Sequence, residues 1–169
     1  MQQTVLLVED NPTDASVIEM AMKKAGLKVK LHVLTDGAAA VDYIHRLSRP
    51  RGPSVPDLLI LDLNLPWVTG DEVLRELRAS PQSARVPVIV TSSAIGHPRY
   101  LDRIQAYGAD RVFLKPVEMD RFLQIGNMIR EMLETSGMES RHLMPARKRA
   151  SRHPKPSGYF RKSHGATSH

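Results

Sequence analysis

Short runs of aliphatic and β-branched residues alternate along this chain with segments in which apolar positions recur every three or four residues. The runs predict five strands, at residues 4–8, 29–34, 58–61, 88–91 and 112–114. Each is short and almost wholly apolar, the pattern of a strand covered by helices on both faces. In the first intervening segment Ala15, Ile18, Met22 and Ala25 keep helical spacing, and Asn11 and Pro12 supply an N-cap and a first-turn proline. Ala40, Val41, Ile44 and Leu47 mark a second helix after Asp36-Gly37. Thr69 and Glu72 form a capping box ahead of Val73, Leu74 and Leu77. A fourth helix is expected over 98–107, carried by Leu101 and Ile104, and a fifth over 120–134, with Phe122, Ile125, Ile129, Met132 and Leu133 as its apolar stripe. Five strand–helix alternations joined by right-handed crossovers predict a doubly wound α/β sandwich of the (βα)5 type. No internal repeat is visible, and the proline-rich stretch 48–56 reads as a long loop.

Charge divides the chain in two. Residues 138–169 hold eight Lys/Arg against one acid, a net +7, so residues 1–137 carry −1 of the total of +6. We therefore expect a nearly neutral domain over 1–137, ended by Ser136-Gly137, and a basic tail over 138–169. The tail is too poor in apolar side chains to offset the entropy of ordering and is expected to be disordered when isolated. The 169 residues are 41% hydrophobic, enough for one core of ordinary size. No apolar run of membrane-spanning length and no secretion signal is present, so a soluble, cytoplasmic protein is expected. The absence of cysteine excludes disulfides, thiolate nucleophiles and cysteine-based metal sites.

In open α/β sheets ligands sit beyond the carboxyl ends of the strands, where strand order reverses; for a 2-1-3-4-5 sheet that is between strands 1 and 3. Both of these predicted strands end in acids, the first at Glu9-Asp10 and the third at Asp62, within Leu61-Asp62-Leu63-Asn64-Leu65-Pro66. Three converging carboxylates repel one another unless a cation is present, and Mg²⁺ suits a few carboxylates, waters and phosphate oxygens. The fourth strand runs into the hydroxyls of Thr91-Ser92-Ser93, and the fifth ends in Lys115-Pro116. A phosphoryl group on Asp62 could share its charge among metal, hydroxyl and ammonium, so the parts match phosphoryl transfer to a carboxylate.

Over roughly residues 3–134 the sequence resembles the response-regulator receiver family of two-component systems. The resemblance rests on Val8-Glu9-Asp10-Asn11, the Leu61–Pro66 run with Gly70 after it, the hydroxyls ending the fourth strand, and Gly108-Ala109-Asp110 followed by Lys115-Pro116. It implies a flavodoxin-like fold and a phosphorylation switch, with Asp62 as phosphoacceptor for a sensor histidine kinase. It further implies that Asp10 and Asp62 bind Mg²⁺ directly, Asn64 through its backbone carbonyl and Glu9 through water, that Lys115 pairs with the phosphoryl group, and that the Lys115–Pro116 bond is cis. Within the family the same runs are similar to small single-domain regulators partnered with phytochrome-type kinases. Thr91, Ser92 and Ser93 are consecutive candidates for the switch hydroxyl, and counting from Pro87 along the strand favours Ser92. Val112 stands where the family usually has its switch aromatic, with Phe113 after it. The expected output is a change in binding, either docking on another protein or a homodimer through the face of the fourth helix, fifth strand and fifth helix.

Plainer readings stand beside these. Glu9-Asp10-Asn11-Pro12 alone would be an ordinary helix start, and Lys115 alone a solvated lysine. Trp67 serves either as a recognition aromatic for a kinase helix or as loop packing. The seven histidines show no metal spacing. Two other functions compete. A Mg²⁺-dependent phosphatase with an Asp nucleophile would want an acid two residues after Asp62, where Asn64 stands. An adaptor for nucleic acid or an acidic partner would act through the basic tail, but the tail has little aromatic character, and nucleic acid is not the expected partner.

Overall fold

The structure is a computed structural model that describes residues 2–93 and 104–142. Five parallel strands, β1 (Thr4–Val8), β2 (Lys30–Leu34), β3 (Leu58–Asp62), β4 (Val88–Ser92) and β5 (Arg111–Leu114), form one sheet in the order β2-β1-β3-β4-β5. The helices that lie wholly among the described residues are α1 (Pro12–Lys24), α2 (Gly37–Arg46), α3 (Gly70–Ala79), α4 (Met119–Phe122) and α5 (Ile125–His142). Strand number and order match the expected doubly wound sandwich.

Alternate side chains of the central strands feed two cores. Leu6, Leu59, Leu61, Val88 and Val90 pack with Tyr43 and Ile44 of α2 and Leu74 and Leu77 of α3. Val5, Leu7, Ile60 and Ile89 pack with Ile18 of α1 and with Ile125 and Ile129 of α5. The starts of the helices follow the residues that cap them. Asn11 Oδ1 accepts the Thr13 and Asp14 amides at 2.9 and 3.4 Å, and Asp36 Oδ1 accepts the Ala39 amide at 2.7 Å. Glu72 reaches back to the Thr69 amide at 2.8 Å.

Three expectations change. First, only β1, β3 and β4 are buried on both faces; β2 and β5 lie at the sheet edges, each with one neighbouring strand, and are largely exposed or half-buried. Second, the single last helix is two, since Leu123 and Gln124 form a tight turn in which the Gly126 and Asn127 amides bond back three residues. Third, α5 runs past Ser136-Gly137 to His142. The expected fourth helix falls mostly outside the described residues, which show its last turn at 104–106. Residues 143–169, most of the basic tail, also lie outside them. Among the described residues no helix is long and apolar enough to cross a membrane.

Candidate functional site at the carboxyl end of the sheet

The parallel register brings the ends of β1, β3 and β5 to one level, because Val8 is paired with Leu61 and Ser92 with Leu114. Glu9 and Asp10 follow β1, Asp62 closes β3, and Lys115 follows β5. Glu9 and Asp62 are buried, at 1% and 4% exposure, and Asp10 is open to solvent. One oxygen from each of these acids lies within 4.8 Å of the others.

The Lys115 ammonium sits among them. Its Nζ donates to Glu9 Oε2 at 2.7 Å, to Asp62 Oδ2 at 2.7 Å and to Asp14 Oδ2 at 2.8 Å. Burial opposes its charge, yet hydrogen bonds to Asp14, Asp62 and Glu9 outweigh that cost and hold its pKa above the ordinary lysine value. Burial pushes the Glu9 carboxyl up to about 7, with the Lys115 bond pulling it down and the Asp62 charge adding to the rise. One ammonium against four carboxylates leaves a surplus of negative charge that a hard divalent ion with oxygen ligands would neutralise; the all-oxygen donor set of Glu9, Asp10 and Asp62 fits such an ion.

Backbone contacts hold the acids in place. Asp62 Oδ1 accepts the Asn64 amide at 2.9 Å and Glu9 Oε1 the Asn11 amide at 3.2 Å. Gly70 begins α3 directly against the end of β3, where an added Cβ would stand 2.4 Å from the Asp62 carbonyl oxygen. Any side chain there would displace the backbone that presents Asp62. The Asn64 side-chain Nδ2 donates to Ser93 Oγ at 3.0 Å; as a carboxamide it has no titratable proton for an acid/base role.

The hydroxyls at the end of β4 differ in placement. Thr91 pairs in register with Asp62, and Ser92 lies one residue further toward the carboxyl end, its carbonyl accepting the Lys115 amide at 2.8 Å. Both are buried, and among the described residues Thr91 Oγ1 has no hydrogen-bond partner. Val112 packs on the α2–α3 side, whereas Phe113 faces α1 and α5 and meets Phe122 at 5.7 Å between centroids. The nearest aromatic on β5 is thus on the opposite face from the Val112 position. Trp67 is 91% exposed with φ of 59°, so it does not pack into its loop. The Lys115–Pro116 bond is trans, a correction to the cis form expected; trans is the form such bonds prefer by about 0.5–1 kcal/mol, and Lys115 reaches its acids from it.

Sequence reasoning missed Asp14. It reads as a first-turn acid of α1, and the signal that could have found it is its position one helical turn after Asp10.

The response regulator receiver domain family matches residues 5–127. A probable methanogenesis regulatory protein, FilR2 of Methanothrix harundinacea (strain 6Ac), is 33% identical over 127 residues, which are 75% of this chain and 81% of that one. The crystal structure of the phosphorylated cyanobacterial phytochrome response regulator RcpA superposes with a TM-score of 0.71 at 29% identity, covering 80% of this chain and 96% of that one. The Mn²⁺-bound form of response regulator Rcp1 gives 0.69 at 28% identity, covering 79% and 96%. With the family matched across most of the chain and its fold reproduced strand for strand, this chain belongs to the response regulator receiver domains of two-component systems.

Proposed function

We propose that Asp62 is the phosphoacceptor of this receiver, that Ser92 and Lys115 hold the transferred group, and that Mg²⁺ binds through Asp10, Asp62 and the Asn64 carbonyl, with Glu9 acting through water. The observation that carries the reading is the buried ammonium of Lys115 bonded to Asp62 across 53 residues of sequence. A lysine 6% exposed at a cluster of acids is costly as mere structure and useful where anionic charge arrives.

In the transfer an Asp62 oxygen attacks the phosphorus of a phosphohistidine on a sensor histidine kinase. The new O–P bond forms as the P–N bond breaks, and the departing imidazole takes up a proton. The bound ion would supply positive charge to the acids and to the phosphoryl oxygens. Lys115 neutralises a further oxygen. Ser92 is preferred to Thr91 because a group on the Asp62 side chain extends about one residue's rise, roughly 3.3 Å, beyond the level of the Asp62–Thr91 pair. The chain acts as an acceptor that catalyses its own phosphorylation and dephosphorylation, and turns over no separate substrate.

The kinase partner is a phytochrome-type sensor, a reading supported by the likeness to a phytochrome response regulator. Trp67, exposed five residues after Asp62, is its docking contact. Output is protein binding in the cytoplasm, by docking or by a homodimer on the face that includes β5, where Leu114 and Val117 are exposed. The signalling domain extends through α5 to His142, beyond the expected end at Gly137, and the remainder of the basic stretch is an appendage. Incubation with acetyl phosphate and Mg²⁺ is expected to label wild type and leave Asp62→Asn unlabelled; equal labelling of the two, or of neither, defeats the assignment.

A further inference from the structure

The Lys115 ammonium has three N–H donors, and three carboxylates take all of them. The acceptors come from three separate elements: Glu9 after β1, Asp14 in the first turn of α1, and Asp62 at the end of β3. If Asp62 is the phosphoacceptor, on which this inference rests, one N–H must pass from Asp62 Oδ2 to a phosphoryl oxygen. Only Glu9 and Asp14 then hold the ammonium. With Glu9 alone, the four-carbon stem would let it swing about a single bond.

We propose that Asp14 is a positioning residue whose carboxylate, fixed on the first turn of α1, aims the Lys115 ammonium at Asp62 and keeps it aimed as the phosphoryl group arrives. A simpler role would be an acid complementing the helix N-terminus. Yet the side chain of Asn11 already accepts the Thr13 and Asp14 amides, and the Asp14 carboxylate is bonded to a lysine 101 residues away. Nor does its charge by itself favour the reaction. A fourth carboxylate repels an incoming phosphoryl group, so if charge were its main effect, removing it would speed phosphorylation. Positioning requires the opposite sign.

The test uses the full chain with Mg²⁺ and saturating acetyl phosphate. Asp14→Asn keeps the shape and removes the charged acceptor; its phosphorylation rate constant is expected to fall roughly tenfold, the scale of a lost hydrogen bond to a charged group. Asp14→Glu, which restores a carboxylate, is expected to recover most of the rate, and circular dichroism of both variants to match wild type. The ¹H–¹⁵N signal of the Lys115 ammonium, assigned by its loss in Lys115→Arg, is expected in wild type and broadened beyond detection in Asp14→Asn. An Asp14→Asn rate equal to or above wild type overturns the proposal. So does a slowed variant with an unchanged ammonium signal, since the slowing would then come from elsewhere in α1. The ammonium signal is read without phosphodonor, so it decides this inference separately from the phosphoacceptor reading, whose failure shows as unlabelled wild type.

Discussion

A cation at least partly buried sits at each end of the sheet, and the two are held in opposite ways. At the amino end Arg78 donates to backbone carbonyls, to Gly108 at 3.0 Å, Ala84 at 3.2 Å and Val86 at 2.6 Å, and to one acid, Asp110, at 3.1 Å. Asp110 in turn accepts the amide of Val88, the first residue of β4, at 2.8 Å. Gly108 adopts φ of 93°, and a Cβ there would stand 2.8 Å from Arg78 Nε, so a glycine is needed both for the turn and for the arginine. Even the buried hydroxyl of Ser83 is satisfied, by the Leu77 carbonyl at 2.9 Å. At the carboxyl end, among the described residues, the Lys115 ammonium has only carboxylates for partners, and Thr91 keeps an orphaned hydroxyl. A planar guanidinium that staples neutral backbone has one best arrangement. An ammonium whose three N–H groups are shared among surplus acids would, on the proposed reading, rebalance when a cation or phosphoryl group arrives. Burial of polar groups is thus structural at one end of the sheet and responsive at the other.

Breaking the amino end should cost the most stability and the least chemistry. Arg78→Ala strands several half-buried carbonyls and removes the partner of solvent-exposed Asp110, and urea unfolding is expected to show a loss of roughly 2–3 kcal/mol. At a temperature where the variant stays folded, its labelling by acetyl phosphate should remain near wild type. A small stability loss, or labelling abolished in folded protein, would erase the contrast between the ends.

The carboxyl end should respond to pH and metal as the amino end does not. Glu9 has its pKa raised from 4.5 to about 7, so the folded chain holds this proton more tightly than the unfolded one. Stability from this group is therefore full below about pH 4.5 and is lost as pH rises through about 7. Lys115→Met removes the opposing ammonium, and without Mg²⁺ it is expected to lose about 2 kcal/mol at pH 8 and clearly less at pH 6. Added Mg²⁺ should restore stability at pH 8, where Glu9 is ionised, more than at pH 6. Thermal unfolding across that grid checks it, and a flat profile would count against a responsive cluster.

Thr91→Val gives the smallest effect and the opposite sign. Replacing an unpartnered buried hydroxyl by a methyl is expected to raise stability by about 1 kcal/mol, whereas Ser83→Ala should lower it, since that hydroxyl is bonded. A loss of stability in Thr91→Val would mean that the hydroxyl is satisfied in solution.

Much of this was legible in residue order, because strand and helix patterns depend on neighbours a few positions apart. The five strands, the Asn11 cap and the Thr69–Glu72 box are local events, and the parallel sheet order put Glu9, Asp62 and Lys115 at one end of the molecule. Edge exposure of β2 and β5, the turn that splits α4 from α5, and the full exposure of Trp67 were not legible, since each depends on what lies beside the segment in space. The part of Asp14 was hidden for the same reason. The sequence by itself determined which acids and which lysine are present and the strands that carry them. Only the tertiary structure decided that one ammonium binds three of those acids, because the donors and acceptors lie up to 106 residues apart and meet only when the strands align.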